Sequence, residues 1–157
     1  MTDTTWLTPA AHQKLIAELE RLKTDGRRQI EIRLAEARSH GDLRENGDYD
    51  AAKNDQGLME ARIRQLQALI DTAEVREAAD DGVVSIGSIV TVVDEDGDEM
   101  EYFVANRANK VPGYILTSPE SPLGEALLEK RVGDGVSYEA NGRIFTVEIR
   151  GVRPFRD

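Results

Sequence analysis

Residues 51–73 read AAKNDQGLMEARIRQLQALIDTA. Ala52, Gln56, Met59, Ile63, Leu66, Ile70 and Ala73 recur at alternating steps of four and three. That spacing predicts an α-helix with one apolar seam in coiled-coil register. Upstream, Thr8-Pro9 offers a hydroxyl N-cap followed by Pro at the first helical position. Leu15, Leu19 and Leu22 continue the seam, which then steps by fours through Gly26, Ile30 and Leu34 before Ala37. Three successive steps of four are a stutter, which locally unwinds a supercoil. Ser39-His40-Gly41 supplies the stop. Two seams of matching length joined by a short polar segment predict an antiparallel helical hairpin. At 1.5 Å per residue the first arm, Pro9–His40, would extend ~48 Å.

Past residue 77 the sequence changes character. Gly and Pro recur every few residues and β-branched residues cluster, so a boundary is expected near Asp80–Gly82, dividing the chain into 1–80 and 81–157. Ser88–Val93 and Glu101–Ala105 flank Asp94-Glu95-Asp96-Gly97-Asp98 as a hairpin. Tyr114–Thr117 reads as a short strand and Pro122–Lys130 as a helix. Val136–Glu139 and Arg143–Ile149 enclose Asn141-Gly142, a strong hairpin signal. The expected fold class is therefore α+β, an N-terminal helical hairpin followed by a small globular domain.

Composition sets outer limits on function. The chain of 157 residues carries 20 basic and 30 acidic residues, a formal charge of −10. Residues 1–80 hold 12 basic and 16 acidic groups and residues 81–157 hold 8 and 14, so neither half is built to grip a phosphate backbone in bulk. The absence of cysteine excludes disulfides, thiolate metal sites and Cys nucleophiles. His12 and His40 are too far apart in sequence to suggest a metal pair. No window approaches the ~18 apolar residues of a membrane span, and the opening MTDTTWLTPAA lacks the pattern of a secretory signal. A cytoplasmic protein without membrane partners is expected. Asp94–Glu99 superficially resembles a calcium loop, but Gly97 is fourth and Ala105 stands where the twelfth-position Glu belongs, so a turn is expected.

The connection between the helical arms reads Gly41-Asp42-Leu43-Arg44-Glu45-Asn46-Gly47-Asp48-Tyr49-Asp50. Asp42 and Glu45 stand three apart and can point the same way on a turn entering a helix. Two converging carboxylates suit Mg²⁺, which prefers oxygen ligands, but are too few to hold it alone. The same spacing also fits a capping box, Asp42 accepting from the Glu45 amide and Glu45 reaching back. Spacing leaves both readings open, and neither explains Leu43 and Tyr49 in an otherwise polar connection.

The wording of this connection, GDLRENGDYDAAK, resembles the tip motif of the bacterial Gre transcript-cleavage factors. A second stretch, Ser121-Pro122-Leu123-Gly124-Glu125-Ala126-Leu127-Leu128-Glu129-Lys130-Arg131-Val132-Gly133-Asp134, resembles the family's other signature, and Trp6-Leu7-Thr8 suggests its GreA type. The resemblance covers essentially the whole chain. It implies an antiparallel coiled coil followed by a globular domain similar to FK506-binding proteins. It also implies a transcription elongation factor, itself not an enzyme, that docks on RNA polymerase and inserts its coiled coil into the secondary channel. There Asp42 and Glu45 would help position a Mg²⁺ shared with the polymerase, so that backtracked RNA is cleaved at its 3′ end. No ion would be bound by the isolated protein, and a monomer is expected. Arg44 and Lys53 would contact RNA or remain solvated charges. Leu43, Asn46 and Tyr49 would support the tip, with Tyr49 alternatively stacking on RNA. Ser121, Pro122, Leu123 and Gly124 would belong to the docking surface, or simply begin a helix. Arg62 and Arg64 are expected as solvated charges on the helix face. Two other functions stay open: a family member that occupies the channel and inhibits, suggested by Asp50, and a non-catalytic coiled-coil adaptor.

Overall fold

The computed structural model describes residues 5–39 and 47–156. Its elements form two compact units, the described residues of 12–73 and residues 5–11 with 74–156.

In the first unit, helix α1 (Pro9–Arg21) runs into a π-helical turn at Leu22–Gly26, then α2 (Arg27–Ser39), and α3 (Gly47–Thr72) follows. The π turn falls where the seam stutters. Five residues in one widened turn absorb the register drift, so that Ile30, Leu34 and Ala37 come back to the buried side. Ile30, Leu34 and Ala52 form a core cluster, with Tyr49 and Met59 packed on it. Farther along the arms Leu15, Leu19, Ile63 and Leu66 are also buried. Gly26 is close-packed: a Cβ there would lie 2.9 Å from the Met59 sulfur. The contacts run in opposite order along α2 and α3, Arg27 to Glu60 and Arg33 to Asp55, as an antiparallel pair requires.

Arg27 grips Glu60 with two hydrogen bonds of 3.0 and 3.1 Å. Hydrogen bonding by Arg27 holds the Glu60 carboxyl below its ordinary value of 4.5. A depressed carboxylate stabilises the fold above its ordinary value, and that contribution is lost as pH falls through the lowered one. Glu60→Gln should therefore flatten the acid limb of the hairpin's melting profile, read by circular dichroism against pH. An unchanged slope would show that the pair adds nothing. Arg62, expected as a solvated charge, instead reaches Glu18 with bonds of 2.9 and 3.1 Å.

In the second unit, β1 (Trp6–Leu7) pairs in parallel with β2 (Glu74–Val75). The main sheet has the order β5-β4-β3-β7-β6, made of β3 (Ser88–Val93), β4 (Glu99–Val104), β5 (Ile115–Thr117), β6 (Gly135–Ala140) and β7 (Arg143–Pro154). Alternation along β3 divides its side chains between two clusters. Val90 and Val92 join Leu123 and Leu127 of helix α4 (Pro122–Leu127), while Ile89 joins Trp6, Phe103 and Phe155. Phe103 stacks on Phe155 at 4.8 Å and meets Trp6 edge-on at 6.4 Å. Both faces of the sheet thus carry core.

Both expected hairpins form. The Asn141-Gly142 turn has positive φ at both residues, 54° and 77°, the type I′ geometry that this dipeptide favours. In the other turn, Asp94 Oδ1 accepts the amides of Asp96 and Asp98, both at 2.9 Å.

The boundary differs from the one expected at Asp80–Gly82. Residues 74–80 and Trp6–Ala11 group with the globular unit because β1 and β2 pair there and Trp6 is buried in its core. Asn109, itself buried, fixes the same segment. Its amide donates to the Trp6 carbonyl (2.9 Å) and its carbonyl accepts the Thr8 amide (2.8 Å). Thr8 caps α1 as expected, its hydroxyl accepting from Ala11 N at 3.0 Å.

Candidate functional site

The connection between α2 and α3 is approached by two helix ends whose construction is visible on either side. Tyr49 lies in the first turn of α3, half-buried against the Ile30, Leu34 and Ala52 cluster. Arg38, in the last turn of α2, sets its guanidinium over the Tyr49 ring at 5.8 Å. This cation–π contact crosses from one arm to the other at the base of the connection. Tyr49 thus packs between the two arms. Asp48 and Asp50 are exposed in the first turn of α3, where carboxylates favour the helix N-terminus. Lys53 is exposed and donates to Gln56 at 3.1 Å. Asp42, Leu43, Arg44, Glu45 and Asn46 lie outside the described residues.

The second signature is built as a helix start. Ser121 is the N-cap of α4, its hydroxyl accepting from Gly124 N (3.1 Å) and donating to the Ser118 carbonyl (2.6 Å). Pro122 follows at the start of the helix and is exposed. Leu123 and Gly124 are buried, Leu123 within the core cluster beneath the sheet. A Cβ on Gly124 would overlap the Ser118 carbonyl oxygen. Of the four residues expected to dock, only Pro122 and part of Ser121 reach the surface, and Leu123 and Gly124 support them from below. Sequence reasoning passed over Asn106 and Asn109, which bind the Trp6 carbonyl at 3.3 and 2.9 Å. The Asn-x-x-Asn spacing in a turn was the available signal.

These features define a two-part chain, a helical hairpin whose arms meet in the Arg38–Tyr49 contact and an α+β unit whose signature segment caps a helix. Residues 5–75 match the N-terminal domain of the GreA/GreB transcription elongation factors, and residues 79–154 match their C-terminal domain. The chain is 43% identical over 157 residues to transcription elongation factor GreA of Streptomyces avermitilis, covering 97% of this chain and 94% of that one. It is 45% identical over 156 residues to GreA of Streptomyces coelicolor, covering 96% and 94%. Among solved structures, GreA factor homolog 1 of Thermus thermophilus is similar at 27% identity, with 96% of this chain and 99% of that chain covered and a TM-score of 0.45. The chain belongs to the GreA/GreB family of transcription elongation factors and is of the GreA type. Among its described residues, no helix is long and apolar enough to cross a membrane.

Proposed function

We propose that this elongation factor binds RNA polymerase through its globular unit and presents residues 41–46 to the polymerase's active centre by way of the secondary channel. There it stimulates the polymerase's own cleavage of backtracked RNA. The factor is an accessory protein, and the polymerase is the enzyme. The observation that carries this reading is the Arg38–Tyr49 contact. It joins the two helix ends that flank the acidic connection, α2 through Arg38 and α3 through Tyr49. Apposed helix ends are the support that a sequence carrying Asp42 and Glu45 to a partner's active centre would need. A coiled-coil adaptor would have no use for a carboxylate pair at that point of its sequence.

The donor set fits a shared Mg²⁺. Two carboxylates supply the oxygen ligands the ion prefers but fall short of its octahedral demand, which leaves the rest to the polymerase. Such an ion, when bound, supplies water activation and stabilisation of the leaving oxygen in phosphodiester hydrolysis. Asp42 and Glu45 would orient it, and Lys53, exposed one helical turn beyond Tyr49, would exchange its bond to Gln56 for an RNA phosphate. Without the polymerase the site should be weak. Calorimetry of the isolated protein with Mg²⁺ should show no site tighter than roughly millimolar, because Mg²⁺ dehydrates reluctantly. A stoichiometric micromolar site would contradict the shared-site reading.

Asp50, exposed on α3, favours a second reading, in which an extra carboxylate makes the factor occupy the channel and inhibit. A transcript-cleavage assay on a stalled elongation complex separates the two. Shortened RNA that can be extended again supports cleavage, and slowed elongation without shortened RNA supports inhibition.

A further inference from the structure

Beside the edge strand β5 lies a groove of about 420 Å³ lined by Ala105, Arg107, Lys110, Leu116 and Ser118. Its apolar lining is the buried Ala105 and the half-buried Leu116, and Arg107 and Lys110 are exposed. Neither cation forms an ion pair among the described residues. Elsewhere in the same unit, Arg76, Arg150, Arg153 and Arg156 each have a carboxylate within 3.6 Å. Two other concavities of this unit are lined by Asp94 and Glu95, and this one by no acid at all. Lys130, Arg131 and Arg143 are likewise without an ion pair among the described residues, so what marks this groove is two cations on an acid-free lining, in a stretch of 8 basic and 14 acidic groups. The groove is continuous with the signature segment. The Ser118 carbonyl accepts both the hydroxyl and the amide of Ser121, at 2.6 and 3.0 Å, just before the exposed Pro122.

We propose that this groove, together with Pro122, receives an acidic segment of RNA polymerase. The proposal rests on the polymerase-docking reading above and names the chemistry of its contact. An apolar lining with two cations suits a peptide that offers an apolar side chain flanked by carboxylates. The acidity of the unit as a whole repels a continuous polyanion, so an acidic protein segment is favoured over nucleic acid. Pairing across such a rim governs encounter rate and salt dependence.

The test uses full-length protein competing with labelled wild type for core RNA polymerase at low and high salt. Arg107 and Lys110 are exposed and unpaired, so their replacement leaves the fold intact. Arg107→Glu combined with Lys110→Glu should raise the half-saturating concentration by ~10-fold or more at low salt, with a smaller difference at high salt. Cleavage at saturating factor should be unchanged. Arg143→Glu, a charge reversal of an exposed arginine at the β6–β7 hairpin, should leave binding within about twofold, because screened surface charges act over a short range. Equal competition by the double variant and wild type would overturn the proposal. So would equal weakening by Arg143→Glu, or lost binding to a short single-stranded RNA with polymerase binding kept. Failure of wild type itself to bind the polymerase would overturn the docking reading as well, and is told apart by that control.

Discussion

Asp42→Asn and Glu45→Gln should each reduce stimulated transcript cleavage by ~10²-fold or more while leaving polymerase binding nearly unchanged. The argument starts from charge. Each substitution keeps the size of the side chain and one oxygen, but removes the negative charge that an ion needs from a site already short of ligands. Docking, assigned to the globular unit, does not involve these residues, so competition for polymerase reports an intact factor. The capping reading predicts the opposite pattern. An N-cap carboxylate replaced by its amide loses at most ~1 kcal/mol of helix stability, and cleavage would persist. Measuring cleavage and thermal midpoint on the same two proteins therefore separates the roles. Unimpaired cleavage by the Asp42→Asn protein would remove Asp42 from the chemistry. A double variant no worse than either single one would indicate that both residues act on one ion, since groups working as a unit are not additive.

How much of this was legible in the sequence depended on whether a feature repeats locally. The seams were, because six positions on α3 and Ala73 just beyond it keep one period, and all of Ala52, Gln56, Met59, Ile63, Leu66, Ile70 and Ala73 prove buried or half-buried. The π turn was visible as the stutter at Leu22, Gly26 and Ile30. The strands β1 and β2 were not, since two residues carry no periodicity and their pairing joins positions 68 residues apart, Trp6 with Glu74. That hidden pairing misplaced the boundary. The end of β7 was hidden for another reason. Gly151 and Pro154 read as breakers, yet the register shift between Thr91 and Val92 lets the strand continue past Ile149 to Pro154. Arg62 was misjudged because its partner, Glu18, lies on the opposite arm, and ion pairs between arms depend on rotation about the helix axis that the sequence does not specify. At the site, residue types pointed to Asp42 and Glu45 and to a role for Tyr49. Arg38 as its partner emerged only from the fold.

The Ser121–Gly124 segment shows most directly how a signature can be structural and functional together, and Gly124→Ala tests the structural part. Gly124 sits in the first turn of α4, with Ser121 capping its amide from one side and the Ser118 carbonyl packed against its α-carbon from the other. A methyl group there would overlap the Ser118 carbonyl oxygen and come within 2.8 Å of its carbon and 3.0 Å of Pro119 Cα. All three neighbours are backbone, so none can swing aside as a side chain would. The Ser118–Ser121 turn must open instead, which strains the Ser121 cap and lifts Leu123 from its core cluster. Overpacking of this kind costs about 3 kcal/mol, which for a unit of this size lowers the thermal midpoint by roughly 12–24 °C. Gly135→Ala is the matched control, because Gly135 has no atom within 4 Å of an added Cβ, and should shift the midpoint by no more than a few degrees. A Gly124→Ala protein that melts like wild type would show that the turn yields cheaply. If that protein nonetheless lost polymerase binding, Gly124 would be a point of close approach by the partner. If it lost stability and binding together, as expected, the glycine acts by letting Ser118 and Ser121 hold Pro122 at the surface beside the cationic groove.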